Sequence, residues 1–198
     1  MQTNHEYEIS ILSRGGQGGV TLGKVLAYTA TYDGFYTTAI PKYGAERRGA
    51  PVSTSVRIFS KPVRRHAQIV YPTDIVSLDM TLVPRMFPDD PFNGKGTLTI
   101  NSSELPPEYE IYRPEKIGMC NIQAIAKDLG LVKSGSAMLG IPTLGSFIAT
   151  AGGLTMESLH KAIDKMFSGS KYLDANHQAV DASFKQTEVI KVERPITT

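Results

Sequence analysis

The first apolar run, "YEISIL" at residues 7–12, alternates its side chains with the period of two that a β-strand requires. It runs into a glycine turn. Apolar residues then recur at helical spacing over 20–32 and stop at Asp33-Gly34, where glycine supplies a left-handed cap. "FYTTAI" at 35–40 predicts a second strand, so the chain opens as a strand–helix–strand crossover, which implies parallel strands with helices on the sheet faces. "VSTSVRIF" at 52–59 alternates as a strand with one wet face, 74–79 and 96–102 predict short strands, the first of them buried, and "YEIYRP" at 109–114 predicts an edge strand ended by its proline. Helices are predicted at 121–131, with Gly130 near the end, and at 155–167, where Thr155 caps and Leu159, Ile163 and Met166 line one face. A last helix at 174–184 precedes an exposed tail, "VIKVERPITT". The alternation of strands and helices gives the class α/β: a three-layer α/β/α fold with a mostly parallel sheet and a Rossmann-like βαβ start. The expectation is one domain over residues 1–198 with an extended tail from about 185.

Composition narrows what such a fold does. With 41% hydrophobic and 20% charged residues the chain reads as a soluble globular protein with a core, and a net charge of +2 gives no case for nucleic acid or an anionic membrane surface. Cys120 is the single cysteine, which excludes an internal disulfide framework and a self-contained iron–sulfur cluster, and fits a reducing, cytoplasmic setting. The opening "MQTNHEYEIS" has neither the basic nor the apolar region of a signal peptide. Residues 134–156 carry no charge, yet Pro142 and five glycines argue against a bilayer-spanning helix. This stretch reads as a buried loop–helix segment or as a surface covered by another subunit.

The glycine turn carries the candidate chemistry. Gly15, Gly16, Gly18 and Gly19 lie between a strand and a helix, where unpaired N–H groups and the helix dipole make a ready anion site. Gly18, Gly23 and Lys24 match the phosphate-loop spacing, but Val25 stands where Ser or Thr should hold Mg²⁺, and Gly23-Lys24 fall inside the helix. Gly16, Gly18 and Thr21 approximate a dinucleotide fingerprint, but the second strand ends in Ile40-Pro41-Lys42 with no acidic residue for a ribose. A tight turn alone accounts for one or two glycines. The loop "PKYGAERRGAP" at 41–51 leaves the second strand at the same carboxyl edge, which sets Tyr43, Glu46, Arg47 and Arg48 beside Gly15–Gly19. Two arginines next to a nest of N–H donors suit a polyphosphate, with Glu46 orienting one of them; a solvated charged loop is the bland alternative. His5, His66, His160 and His177 show no metal spacing and read as surface or capping residues, and Cys120 as a small buried apolar one. No G-x-S-x-G elbow occurs.

"GGQGGVTLGKVLA" followed by "PKYGAERRGAPVSTSVRI" closely resembles the gamma subunit of the 2-oxoacid:ferredoxin oxidoreductases, and "MLGIPTLGSF" and "ESLHKAIDKMF" with Asn176 and Ala179 are similar to its later segments. Ser13, Ala50 and Ser183 depart from the family pattern, each standing where a glycine is expected. The resemblance implies a multisubunit complex that decarboxylates a 2-oxoacid on thiamine diphosphate and Mg²⁺, passes electrons through [4Fe–4S] clusters and transfers the acyl group to coenzyme A (CoA). Alpha- and beta-type subunits and a ferredoxin-like subunit would hold the thiamine diphosphate and clusters, since this chain lacks the motifs. Its own implied share is to bind CoA phosphates through Gly15, Gly16, Gln17, Gly18, Gly19, Lys24, Arg47 and Arg48, with Tyr43, Gly44, Glu46 and Gly49 supporting the loop or a subunit interface. The alternative is a free-standing nucleotide- or CoA-binding α/β protein.

Overall fold

The computed structural model describes residues 6–43, 49–62, 67–92 and 94–192. Strand β1 (Tyr7–Arg14) buries Ile9 and Ile11 on one face and Leu12 on the other, which makes it a central strand. Helix α1 (Gly19–Tyr32) turns Leu22, Val25, Leu26 and Ala30 to the sheet. It approaches closely because Gly23 has no side chain: a Cβ there would stand 2.7 Å from Thr54 Cγ2. Gly23 therefore serves packing, and the phosphate-loop spacing it shares with Lys24 is incidental. The helix ends as its sequence predicts, with Gly34 at φ +89° and the Phe35 N–H donating to Ala30 O.

After α1 come β2 (Tyr36–Tyr43), β3 (Pro51–Phe59), β4 (Asp74–Ser77), α2 (Leu82–Met86), β5 (Thr97–Asn101), a 3₁₀ turn at Pro107–Tyr109 and β6 (Lys116–Cys120). Then follow α3 (Ile122–Asp128), a small hairpin of β7 (Val132–Lys133) and β8 (Ser136–Ala137), α4 (Gly140–Ala151), α5 (Met156–Phe167), α6 (Leu173–Gln186) and β9 (Glu188–Lys191). The large sheet has the order β2-β3-β1-β4-β5-β6-β9, and only β3 and β9 run against the other five strands. Strand β2 is parallel to β1, as the crossover predicts. The hairpin return of β3 lies between them, because neighbours in sequence joined by a short loop pair first. Two helix layers cover one face, α1 and α4 on the sheet with α5 and α6 outside them; the other face carries α2, the 3₁₀ turn and the rings of Phe92, Tyr109 and Tyr112.

Two expectations change, and one pair of alternatives is decided. Strand β3 has no wet face: its polar positions Ser55 and Arg57 are buried, and the Arg57 guanidinium donates to Glu8 at 2.8 Å and to the Ala67 carbonyl at 2.7 Å. Residues 109–114 form no edge strand. Tyr109 and Tyr112 pack edge to face, 5.6 Å apart, and donate their hydroxyls to the carbonyls of Met80 and Phe87. The strand near them is β6, and the outer edge belongs to β9 in the tail. The charge-free stretch contains α4, whose residues Gly140 to Ile148 are all buried by the sheet, α1 and α6. This chain covers α4, so the buried loop–helix reading holds for that part of the stretch. Gly145 and Ser183 mark the α4–α6 crossing, where Ser183 Oγ donates to Pro142 O at 2.6 Å. Among the described residues no helix is long and apolar enough to cross a membrane.

Candidate functional site: a cavity at the carboxyl rim

The glycine turn closes on itself. Gln17 donates its N–H to Arg14 O at 3.0 Å and accepts the Arg14 N–H on Oε1 at 2.6 Å. Gly16 and Gly18 take φ of +100° and +94°, which side chains resist. Ser13 sits in ordinary strand pairing opposite Val52, with its side chain against Gly19, so the departure at this position leaves the turn intact. The Gly15 N–H donates to Ala50 O at 2.9 Å and the Gly49 N–H to Gly15 O at 3.3 Å. The described ends of the two loops therefore meet at one rim. Tyr43 closes β2, Gly49 lies at φ +92°, and Gly44, Glu46, Arg47 and Arg48 lie outside the described residues. Gly15 and Gln17 use their N–H groups within the rim, whereas among the described residues no hydrogen bond engages those of Gly16 or Gly18.

A cavity of about 720 Å³ opens beside this turn, within the roughly 300–1,000 Å³ of cofactor sites. Gly15 to Gly18 and Thr21 form one wall, and the β7–β8 hairpin brings Lys133, Ser134 and Ser136. Met138, Gly140 and Ile141 form the floor, and Phe167, Ser170, Tyr172 and Asn176 come from the α5–α6 corner. Ser134 and Gly135 both have positive φ, as a two-residue hairpin turn needs, and the Tyr172 hydroxyl donates to Val132 O, tying the hairpin to the corner. The floor is tight: the Gly140 N–H donates to Gln17 O at 3.1 Å, and a Cβ on Gly140 would strike the Gly18 carbonyl.

The electrostatics favour an anion. Helices α1, α4 and α6 all begin at this cavity, and neither α1 nor α4 has an acidic residue in its first turn. Their positive dipole ends are thus left uncompensated, and Lys133 is the only charged side chain among the described lining residues. Asp174 begins α6 but is exposed and does not line the cavity. Lys24 projects to solvent from α1 and lies outside the lining, as does Gly19, which is buried against Ser13.

The family profile described as pyruvate ferredoxin/flavodoxin oxidoreductase matches residues 8–186. The chain belongs to that family. It is similar to the pyruvate/ketoisovalerate oxidoreductases common subunit gamma of Pyrococcus furiosus, 35% identical over 190 residues that cover 93% of this chain and 99% of the relative. It shares 27% identity and a TM-score of 0.75 with the crystal structure of pyruvate oxidoreductase subunit PORC from Thermotoga maritima, over 94% of this chain and 99% of that one. A 2-oxoglutarate:ferredoxin oxidoreductase from Magnetococcus marinus, solved with 2-oxoglutarate, coenzyme A and succinyl-CoA bound, has the same fold at 14% identity and a TM-score of 0.72. There the match covers 93% of this chain and 31% of the longer one.

Sequence reading of this gamma-type oxidoreductase chain misses several groups that the fold assembles. Arg14 reaches over the rim to Asp79 at 2.5 Å and to the Thr81 hydroxyl at 2.8 Å. Partial burial alone would raise the Asp79 carboxyl, but the Thr81 hydroxyl and the Arg14 guanidinium outweigh it and hold the group below its ordinary range. His160 and His177, seventeen residues apart, face each other Nδ1 to Nδ1 at 2.6 Å, with Asp181 on one Nε2 and Asp164 on the other. Among the described residues no group of three or more His, Cys, Asp or Glu could hold a metal. His5 and His66 lie outside the described residues. Burial pushes the Cys120 thiol up, against a weaker opposing hydrogen bond with Thr187, which fits an unreactive, packed role. Lys133 carries no local signal that separates it from surface, and Asn176, noted only as part of the family resemblance, carries none that places it at the cavity.

Proposed function

We propose that this oxidoreductase gamma chain holds the phosphate-bearing end of CoA in the rim cavity, as one part of a multisubunit 2-oxoacid:acceptor oxidoreductase. The observation that carries the reading is the convergence of two uncompensated helix N-termini, a glycine turn and Lys133 on one nucleotide-sized space. The donors are the N–H groups of Gly16 and Gly18 and of the first turn of α1, with Lys133 as a mobile cation. Arg47 and Arg48 add guanidinium forks from a loop whose following residues are bonded to Gly15. CoA bound in a relative of the same fold supports the reading. Thiamine diphosphate with Mg²⁺ and [4Fe–4S] clusters, on alpha-, beta- and ferredoxin-type partners in the cytoplasm, would supply decarboxylation and electron transfer. This chain's lone cysteine and lack of a thiamine motif require partners for both.

The test is steady-state kinetics of the reconstituted complex. Hydrogen bonds to phosphate from charged groups contribute ~1.5–3 kcal/mol each, so K133A and the R47A/R48A pair should each raise the KM for CoA about tenfold or more. The kcat at saturating CoA and the thiamine content should stay unchanged. An unaltered KM in both variants contradicts the proposal.

A further inference from the structure

We propose that Asn176 reads the cavity's ligand beyond its phosphates, its carboxamide pairing donor and acceptor with a planar, amide-like group: the adenine edge or a pantetheine amide of CoA. The proposal rests on the CoA reading of this cavity. Asn176 lies one turn into α6, is 3% exposed and lines the cavity between Tyr172 and the floor. Its side chain makes no hydrogen bond among the described residues, while its backbone N–H donates to Tyr172 O. The contrast within α6 is direct. Ser183, the other buried polar residue of that helix, is satisfied inside the chain by the Pro142 carbonyl. Polar side chains inside folded proteins are almost always paired within the chain, and one that instead faces a cavity is open to a ligand. An asparagine offers two donors and an acceptor in one plane, which matches an amide or an adenine edge and adds little for a bare phosphate. Ala175, Ala179 and Val180 around it are apolar, so nothing in α6 packing calls for an amide at this position.

The test compares wild type with N176L in the full chain and in the reconstituted complex. N176L is expected to keep the wild-type urea midpoint, because no side-chain hydrogen bond inside the chain is lost. Its KM for CoA should rise about tenfold with kcat unchanged at saturation. Adenosine 3′,5′-bisphosphate and pantetheine, each used as a competitive inhibitor, separate the two sources: the one whose inhibition weakens in N176L carries the group that Asn176 reads. Should N176L fail to assemble, N176S is measured in the same way. A variant with wild-type KM and unchanged inhibition by both probes overturns the proposal, as does a variant that loses stability while KM holds. A wild-type KM in K133A and R47A/R48A overturns the CoA reading itself, and this inference with it.

Discussion

At the scale of single residues, the glycines divide by the neighbour each one accommodates. Gly18 and Gly140 meet backbone to backbone, and that contact forms the floor of the cavity beside the turn. G140A should cost about 1–3 kcal/mol, since backbone on both sides leaves a methyl group no room, and urea denaturation of the variant against wild type measures it. The glycine cluster was legible because four glycines between a strand and a helix exceed what a turn needs. The partner glycine at 140 was not, because nothing local marks a residue whose constraint comes from 122 positions away. Asp79 gives a pH-dependent counterpart. Its folded carboxyl titrates below the unfolded one, so its contribution to stability is present above the ordinary aspartate value, about 3.9, and is lost as pH falls through the folded value. D79N should therefore cost about 1–3 kcal/mol near neutral pH, with the difference from wild type shrinking on acidification in parallel urea titrations.

At the scale of elements, side chains join helix ends that periodicity describes only separately. Asp33 closes α1, and its carboxylate accepts from the Thr155 N–H at 2.9 Å, the Thr155 hydroxyl at 2.8 Å and the Ser158 hydroxyl at 2.7 Å, so it also anchors the start of α5. D33A should cost about 1–2 kcal/mol, the scale of a lost N-cap, and lower the melting temperature in calorimetry. The His160–His177 contact joins α5 to α6 in the same way. H160Q and H177Q should be strongly coupled, with the double variant no less stable than the weaker single one in a double-mutant cycle. Helices α1, α5 and α6 were readable because their apolar stripes are local, helped by the glycine stop of α1 and the Thr155 cap of α5. Strand β6 was hidden because "KIGMC" carries Gly118, which weakens a strand pattern; the glycine is there because Thr150 of α4 lies against it. The tyrosines of 109–114 stand three residues apart, a spacing that suits no strand face, and both pack over the sheet's second face.

At the scale of the molecule, the sheet brings the C-terminal end of β1, the return from β2 into β3 and the starts of α1, α4 and α6 to one rim. The meeting of the first two was readable from the order of elements, because a crossover sends both loops to the same edge. The contributions of the β7–β8 hairpin and the α5–α6 corner were not, because they reach the site from more than 100 residues away in sequence. The charge-free stretch showed the limit of composition: lack of charge records burial and does not say which chain supplies the cover. The most direct test of the central claim is cryo-electron microscopy of the reconstituted complex with CoA. CoA phosphate density is expected at the N-terminal ends of α1 and α4, within hydrogen-bond reach of Gly18. Ordered CoA seated wholly on the partner subunits, with this cavity filled by a partner side chain or by solvent, would contradict it.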